Sequence, residues 1–343
     1  MRKPGVLVAG LAAVALLGAA CGGSDNGGGG GGGGNEALTG SIFVSGSSTV
    51  EPISALVAEL FAEENPDVEI TVEGPGTGDG FELFCNGETD ISDASRPIEE
   101  EEVAACEANG IEYTELEVAL DGISVLTSPN NDAVSCLNSG DLYALLGPES
   151  EGFESWADAN DLAGEVGGSA APYADAPLAV TAPGEESGTY DAFIELSGIP
   201  GIAEERGIPE DQWETTRPDY QASANDNVII DGIAGTDTSL GWVGFSFFEQ
   251  NQDVVKALDV DGGEGCVTPT FDSISDGSYP LSRSLFIYVN NAKAAESEAL
   301  AAYVDFYMTD TGLQTAVQEV AYVVLGDDRI EATRTVWEGA RPA

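Results

Sequence analysis

The chain has 343 residues, 42% of them hydrophobic, which is enough for a substantial core and about two domains. Its formal charge is −50, from 61 acidic against 11 basic residues, and it contains no histidine. That composition leaves no basic stripe to neutralise nucleic-acid phosphates, and it excludes Ser-His-Asp, Cys-His and histidine-based zinc chemistry.

In chain order, Arg2 and Lys3 precede an apolar run over residues 6–20 that ends in small residues before Cys21. A bilayer span needs about 20 apolar residues, so residues 1–20 read as an export signal. Leu17-Gly18-Ala19-Ala20-Cys21 resembles a bacterial lipobox, which makes Cys21 a lipidated first residue. Gly18 departs from that pattern, where a larger aliphatic residue is usual, and ordinary cleavage near Ala20 is the alternative. Residues 21–37 are a glycine-rich tether, a flexible coil reaching about 20–25 Å. Loss of Arg2 and Lys3 leaves nine basic residues against 61 acidic ones, a charge of −52 spread along the chain as a solvated surface.

Residues 41–44 read as a strand. Ile53, Leu56, Val57, Leu60 and Phe61 then recur at i, i+3, i+4, i+7 and i+8, which predicts a helix over 53–64. Gly46 to Ile53 is therefore a strand-to-helix turn, and Ser48-x-x-Glu51 reads as a capping box that starts the helix near Thr49. Free amides, the hydroxyls of Ser47, Ser48 and Thr49, and the positive end of the helix dipole make a seat for a small oxyanion. The pattern recurs. A strand over 68–72 leads into Gly74 to Gly80 and a short helix over 81–86. A strand over 90–93 leads into Ser95-Arg96-Pro97 and a helix over 97–109. A strand over 177–181 leads into Pro183 to Thr189 and a helix carrying Phe193 and Leu196. In an open α/β sheet such turns gather at the carboxyl edge of the strands, where ligands bind.

Residues 115–127 predict a strand long enough to cross from one lobe into another, and Leu285 to Val289 predicts a second crossing. Residues 149–176 read as a surface excursion, and a final helix over 292–307 packs back on the first lobe. Two crossings between two lobes describe a clamshell with a hinge. Four cysteines remain in the exported chain, Cys85, Cys106, Cys136 and Cys266. Of the three connectivities that four cysteines allow, Cys85–Cys106 with Cys136–Cys266 is preferred, and a zinc site is the rival.

Enzyme motifs are absent from the sequence. Neither Lys256 nor Lys293 completes a Ser-x-x-Lys or Walker pattern, and Gly184-Glu185-Glu186-Ser187-Gly188 is not a Gly-x-Ser-x-Gly elbow. With 61 acids, carboxylate pairs carry no information about glycosidase chemistry.

GSSTVEPIS, DISDASRPI, PGEESGTYDAF, SANDNVIIDGIAG and PLSRSLFIYVNN resemble the solute-binding proteins of phosphate ABC transporters, the PstS-like family, over residues 40–326. The resemblance implies an α/β two-lobed periplasmic-binding-protein (type II) clamshell, with two mixed sheets flanked by helices and a two-segment hinge. Lobe 1 comprises residues 38–120 and 289–343, and lobe 2 residues 121–288. It further implies a protein that closes on inorganic phosphate and takes it to a membrane permease; a monomer without cofactor is expected, and the lipobox and tether place it, lipid-anchored, on the outer face of the cytoplasmic membrane. Carried over by position, the ligand contacts fall on Ser48, Thr49 and Val50, on Thr77, on Ser95 and on Ser187, Gly188 and Thr189. Arg96 offers a charge-assisted fork.

Two positions depart from one branch of that family. Ser95 stands where an aspartate accepts the phosphate proton, so Asp79, Asp93 or Glu186 must supply the carboxylate, with Glu186 preferred. Pro183 stands where an arginine precedes the last loop, so Arg96, Arg217 or Arg283 must compensate. The same fold tuned to sulfate or molybdate is the alternative, with a secreted hydrolase as a more distant one.

Overall fold

The computed structural model describes residues 37–185 and 187–342. The export signal, Cys21, most of the tether and Glu186 lie outside the described residues. Three parallel strands open the fold, β1 (Gly40–Gly46), β2 (Val68–Glu73) and β3 (Ile91–Ala94), in the order β2-β1-β3. Parallel neighbours require crossovers, supplied by α1 (Glu51–Glu64) and α2 (Thr77–Cys85). α3 (Glu100–Asn109) follows β3 and leads into β4 (Tyr113–Thr127), a strand of 15 residues buried continuously from Val118 onward. Burial of successive residues means that both faces are covered.

The later strands are β5 (Cys136–Asn138), β6 (Ala179–Ala182), β7 (Gln221–Ala222), β8 (Ser239–Gly244), β9 (Lys256–Ala257), β10 (Asp259–Asp261), β11 (Cys266–Val267) and β12 (Ser282–Asn290). The main sheet runs β2-β1-β3-β12-β4-β8-β6-β7, with β9 also on β4, while β11-β10-β5 form a small separate sheet. β12 pairs antiparallel with β3 and with the first part of β4. β8 pairs antiparallel with residues 123–126 of β4, and β6 runs parallel to β7 and β8. The two mixed sheets of the sequence reading are thus joined through β4, with β12 beside it at the junction. A third segment meets them there, since Leu120 and Val323 exchange backbone hydrogen bonds of 2.8 and 3.0 Å. This is an α/β two-lobed clamshell built on a curled mixed sheet.

Several boundaries differ from those read in the sequence. The helix expected over 97–109 begins at Glu100, because Glu99 is its extended N-cap and exchanges capping bonds with Glu102. Residues 149–176 are no surface excursion. They form two short 3₁₀ turns and α5 (Asn160–Val166), after α4 (Ser139–Leu146), and they bury Trp156, Leu162 and Tyr173. The helix expected over 292–307 is two, Asn291–Glu296 and Glu298–Tyr307, because Ser297 caps the second by accepting from the Leu300 amide. That second helix packs on α1, with Phe61 edge-on to Tyr303 and Phe306 at 5.6 Å. A further helix, Asp327–Ala340, buries Ile330 and Trp337. The cysteines pair as Cys85–Cys106, tying α2 to α3, and Cys136–Cys266, tying β5 to β11.

Candidate functional site

The turn after β1 is set by Gly46. A Cβ there would lie 2.0 Å from the Asp93 carbonyl oxygen, so only glycine lets β1 close this tightly on β3. The Ser47 amide donates to that carbonyl at 2.9 Å. The Ser47 carbonyl accepts the amides of Val50 (3.1 Å) and Glu51 (2.9 Å), and the Ser47 hydroxyl accepts the Thr49 amide (3.2 Å). Ser47 therefore closes the turn. The capping box expected of Ser48 and Glu51 does not form, and α1 starts at Glu51, with Val50 as N-cap and no side-chain cap bond. The Val50 amide is spent inside the turn. The hydroxyl of Ser48 is left for a partner outside it.

The second turn packs against the first. A Cβ on Gly80 would lie 2.4 Å from the Gly46 Cα, and the Gly76 amide donates to the Gly46 carbonyl at 2.9 Å. At the third turn, Thr77 Oγ1 and Ser95 Oγ are 3.0 Å apart, and the Ser95 amide donates to Thr77 Oγ1 at 3.2 Å. Thr77 and Ser95, 18 positions apart in sequence, thus form one hydroxyl pair.

The fourth turn opens α6 (Gly188–Ser197), where the Ser187 hydroxyl accepts the Thr189 amide at 3.2 Å. Gly188 faces loop 1 across 3.5 Å, measured from an ideal Cβ to the Ser48 carbonyl oxygen. The Ser48 hydroxyl donates to Asp191 Oδ2 at 3.1 Å. Beside this junction a cleft of about 670 Å³ is lined by Thr77, Ser95, Arg96, Glu195, Arg283 and neighbours. The structure brings Ser48, Thr49, Thr77, Ser95 and Gly188 into one neighbourhood, with Ser187 and Thr189 in the same helix start. Asp79 is exposed in the first turn of α2.

All seven arginines of the described residues sit in ion pairs. Arg96 lines the cleft, but its fork lies on Glu102 at 2.7 and 2.8 Å, with Glu99 at 3.3 Å. The hydrogen bond to Glu102 is the main cause that holds its pKa above the usual arginine value. Arg217 is occupied by Asp219 and the Phe153 carbonyl. Arg283, from β12, reaches the first turn itself. It donates to Thr49 Oγ1 at 3.0 Å, lies 3.4 Å from Asp121 Oδ2, and pairs with Glu195 of α6. Burial pushes the Asp121 carboxyl up from its ordinary pKa, and the Arg283 charge opposes that rise.

Beneath the first turn lies Asp93, fully buried. Its Oδ1 accepts from the Ser54 hydroxyl at 2.9 Å, and its Oδ2 has no hydrogen-bond partner among the described residues. Burial raises its pKa to about 7, against the lowering effect of the Ser54 bond and with added repulsion from Glu51.

Sequence reasoning missed Asp191 and Glu195 as members of this neighbourhood. They stand one helical turn apart on α6, a spacing that puts both on one face, yet in so acidic a chain that spacing carries no signal. Among the described residues no cluster of acidic or cysteine side chains is arranged to hold a metal ion, and no helix is long and apolar enough to cross a membrane.

A family model described as a PBP superfamily domain matches residues 33–311. Protein SphX of Synechocystis sp. is 37% identical over 289 residues, 84% of this chain and 79% of that protein. The phosphate-binding protein PstS of Staphylococcus saprophyticus is 32% identical over 287 residues, 83% of this chain and 81% of that one. Among solved structures, a possible phosphate binding protein from Planctomyces limnophilus superposes with a TM-score of 0.78 at 34% identity, covering 88% of this chain and 99% of that one. With a superfamily match along most of its length and such relatives over the same span, the chain belongs to the PstS-like family of the periplasmic-binding-protein superfamily.

Proposed function

We propose that the chain is an extracytoplasmic phosphate-binding protein. It captures inorganic phosphate between two lobes, residues 38–120 with 289–343 and residues 121–288, and delivers it to an ABC-transporter permease. The observation that supports this function best is the approach of the strand-to-helix turns to one another, with Ser48 and Thr49 against the start of α6 and the Thr77–Ser95 hydroxyl pair lining the cleft beside them. Hydroxyls and helix-start amides replace the water around a small anion, and the aligned dipoles favour its charge. The ligand set carried over from the family is Ser48, Thr49, Val50, Thr77, Ser95, Arg96, Glu186, Ser187, Gly188 and Thr189, although the Val50 amide is already bonded within its turn and the Arg96 fork lies on Glu102. Export follows from the N-terminal signal. Lipidation at Cys21 then holds a monomeric domain above the outer face of the cytoplasmic membrane. The chain is a carrier without catalytic residues, and the PstS relative named above is a phosphate-binding protein.

Preference for phosphate over sulfate needs an acceptor for the proton that hydrogen phosphate carries. The Asp191 carboxylate, held against Ser48, supports that role alongside Glu186. The rival, the same fold serving sulfate or molybdate, is favoured by one observation, that Ser95 puts a hydroxyl where one branch of the family has an aspartate. Titration calorimetry of the exported chain with phosphate, sulfate and molybdate at two pH values tests both. The expected result is phosphate binding at roughly micromolar or tighter, with sulfate at least tenfold weaker. Absence of heat with every tetrahedral oxyanion sinks the receptor function, and turnover of a chromogenic phosphate ester would replace it with a hydrolase.

A further inference from the structure

Resting on the oxyanion-binding function above, we propose that Arg283 is the cation that receives the ligand, and that Glu195 is its exchangeable internal counter-ion, displaced by each anion that binds. The site then works by exchange, giving up a tethered carboxylate when it takes an oxyanion.

The choice of Arg283 follows from elimination among the described residues. Every arginine is paired, so an anion can reach a guanidinium only by displacing an internal carboxylate. Only Arg96 and Arg283 line the cleft that Thr77 and Ser95 share. Arg96 is held by Glu102, whose side chain is 17% exposed and also caps α3. Removing Glu102 from Arg96 would disturb a helix start as well as an ion pair.

Arg283 is arranged differently. Its side chain is 9% exposed, its Nε has no hydrogen-bond partner, and it touches Thr49 of the first turn. Of its two acids, Asp121 is buried beside it and stays in place as a positioning residue. Glu195 is 54% exposed and belongs to α6, which lines the same cleft. A half-solvated carboxylate on a flexible stem is rehydrated as it turns to water, whereas the buried Asp121 has no such route. Glu195 is therefore the partner that leaves.

A tethered competitor weakens apparent affinity by the fraction of time it leaves the site free. If Glu195 occupies Arg283 nine-tenths of the time, apparent affinity is about tenfold below the intrinsic value. The carboxylate also holds α6 against β12 in the absence of ligand.

The test is calorimetric titration of the full exported chain with inorganic phosphate, comparing wild type, Glu195→Gln, Arg283→Lys and the double variant. Glu195→Gln stands at an exposed position and keeps the side chain's volume, so folding is not at risk. The expected result is binding about tenfold tighter in Glu195→Gln, weaker binding in Arg283→Lys, and loss of most of the Glu195→Gln gain when both changes are combined. Unchanged or weaker binding in Glu195→Gln, with phosphate still bound by the wild type, overturns the exchange and leaves the receptor function standing. No binding in any form overturns both.

Discussion

Ser187 has two tasks that can be separated by choice of substitution. As N-cap of α6 its hydroxyl accepts the Thr189 amide, and the ligand set also counts it as a donor to phosphate. Alanine at an N-cap costs about 1 kcal/mol of stability, whereas glycine costs only a few tenths. Ser187→Gly should therefore melt close to wild type yet bind phosphate about tenfold less tightly, the equivalent of one lost hydrogen bond of about 1.4 kcal/mol. Equal affinity in a calorimetric comparison would reduce Ser187 to a cap. Asp93 has a different signature. A carboxyl whose native pKa lies near 7 keeps, in the folded chain, a proton that the unfolded chain releases near 3.8. Its contribution is fully present below that lower value, falls as pH rises to about 7, and is level above. Thermal melts between pH 4 and 8 should show this decline in the wild type and a shallower one in Asp93→Asn; parallel curves would place the slope elsewhere. The sequence named Asp93 and Arg283 only as one of three candidates each, because both owe their chemistry to what the fold buries around them.

At the scale of elements, the strand-to-helix turns were legible because each repeats one local rule: a β-rich run, small residues, then apolar positions at helical spacing. The assignment of caps was not. Ser47 and Ser48 are equivalent by propensity, and only the grip of Gly46 on Asp93 decides that Ser47 turns inward while Ser48 faces Asp191. The break at Ser297 was hidden because a continuous apolar face masks a local cap, and the start at Glu99 because Pro97 reads as a first-turn residue. The two disulfides close loops of very different size, with sequence separations of 21 and 130. In the chain-entropy account these contribute about 3 and about 5 kcal/mol. Urea unfolding of Cys85→Ala/Cys106→Ala and Cys136→Ala/Cys266→Ala double variants should therefore show the larger loss for the second pair. Equal losses would mean that local packing outweighs loop closure.

For the whole molecule, charge dominates. A net −50 repels the anion that the site collects, so capture depends on short-range dipoles and on Arg283, while the long-range field works against approach. Added sodium chloride screens the long-range part over a Debye length of about 10 Å at 0.1 M and leaves partly buried contacts nearly intact. Phosphate association measured by stopped flow should thus accelerate several-fold between 20 mM and 500 mM salt, the reverse of what a basic receptor does. A rate that falls with salt would show local cations governing the approach.

β4 carries one more consequence. Because a single pleated strand pairs with β12 on one stretch and with β8 on the next, and Val323 clips its middle at Leu120, the molecule has no free pin about which its halves swing. Motion between them must be taken up as distributed torsion along a leaf spring of hydrogen-bonded backbone, with the irregularity between Leu285 and Phe286 its most compliant point. A junction of that kind ties any movement of the halves to the paired backbone, not to a single loop.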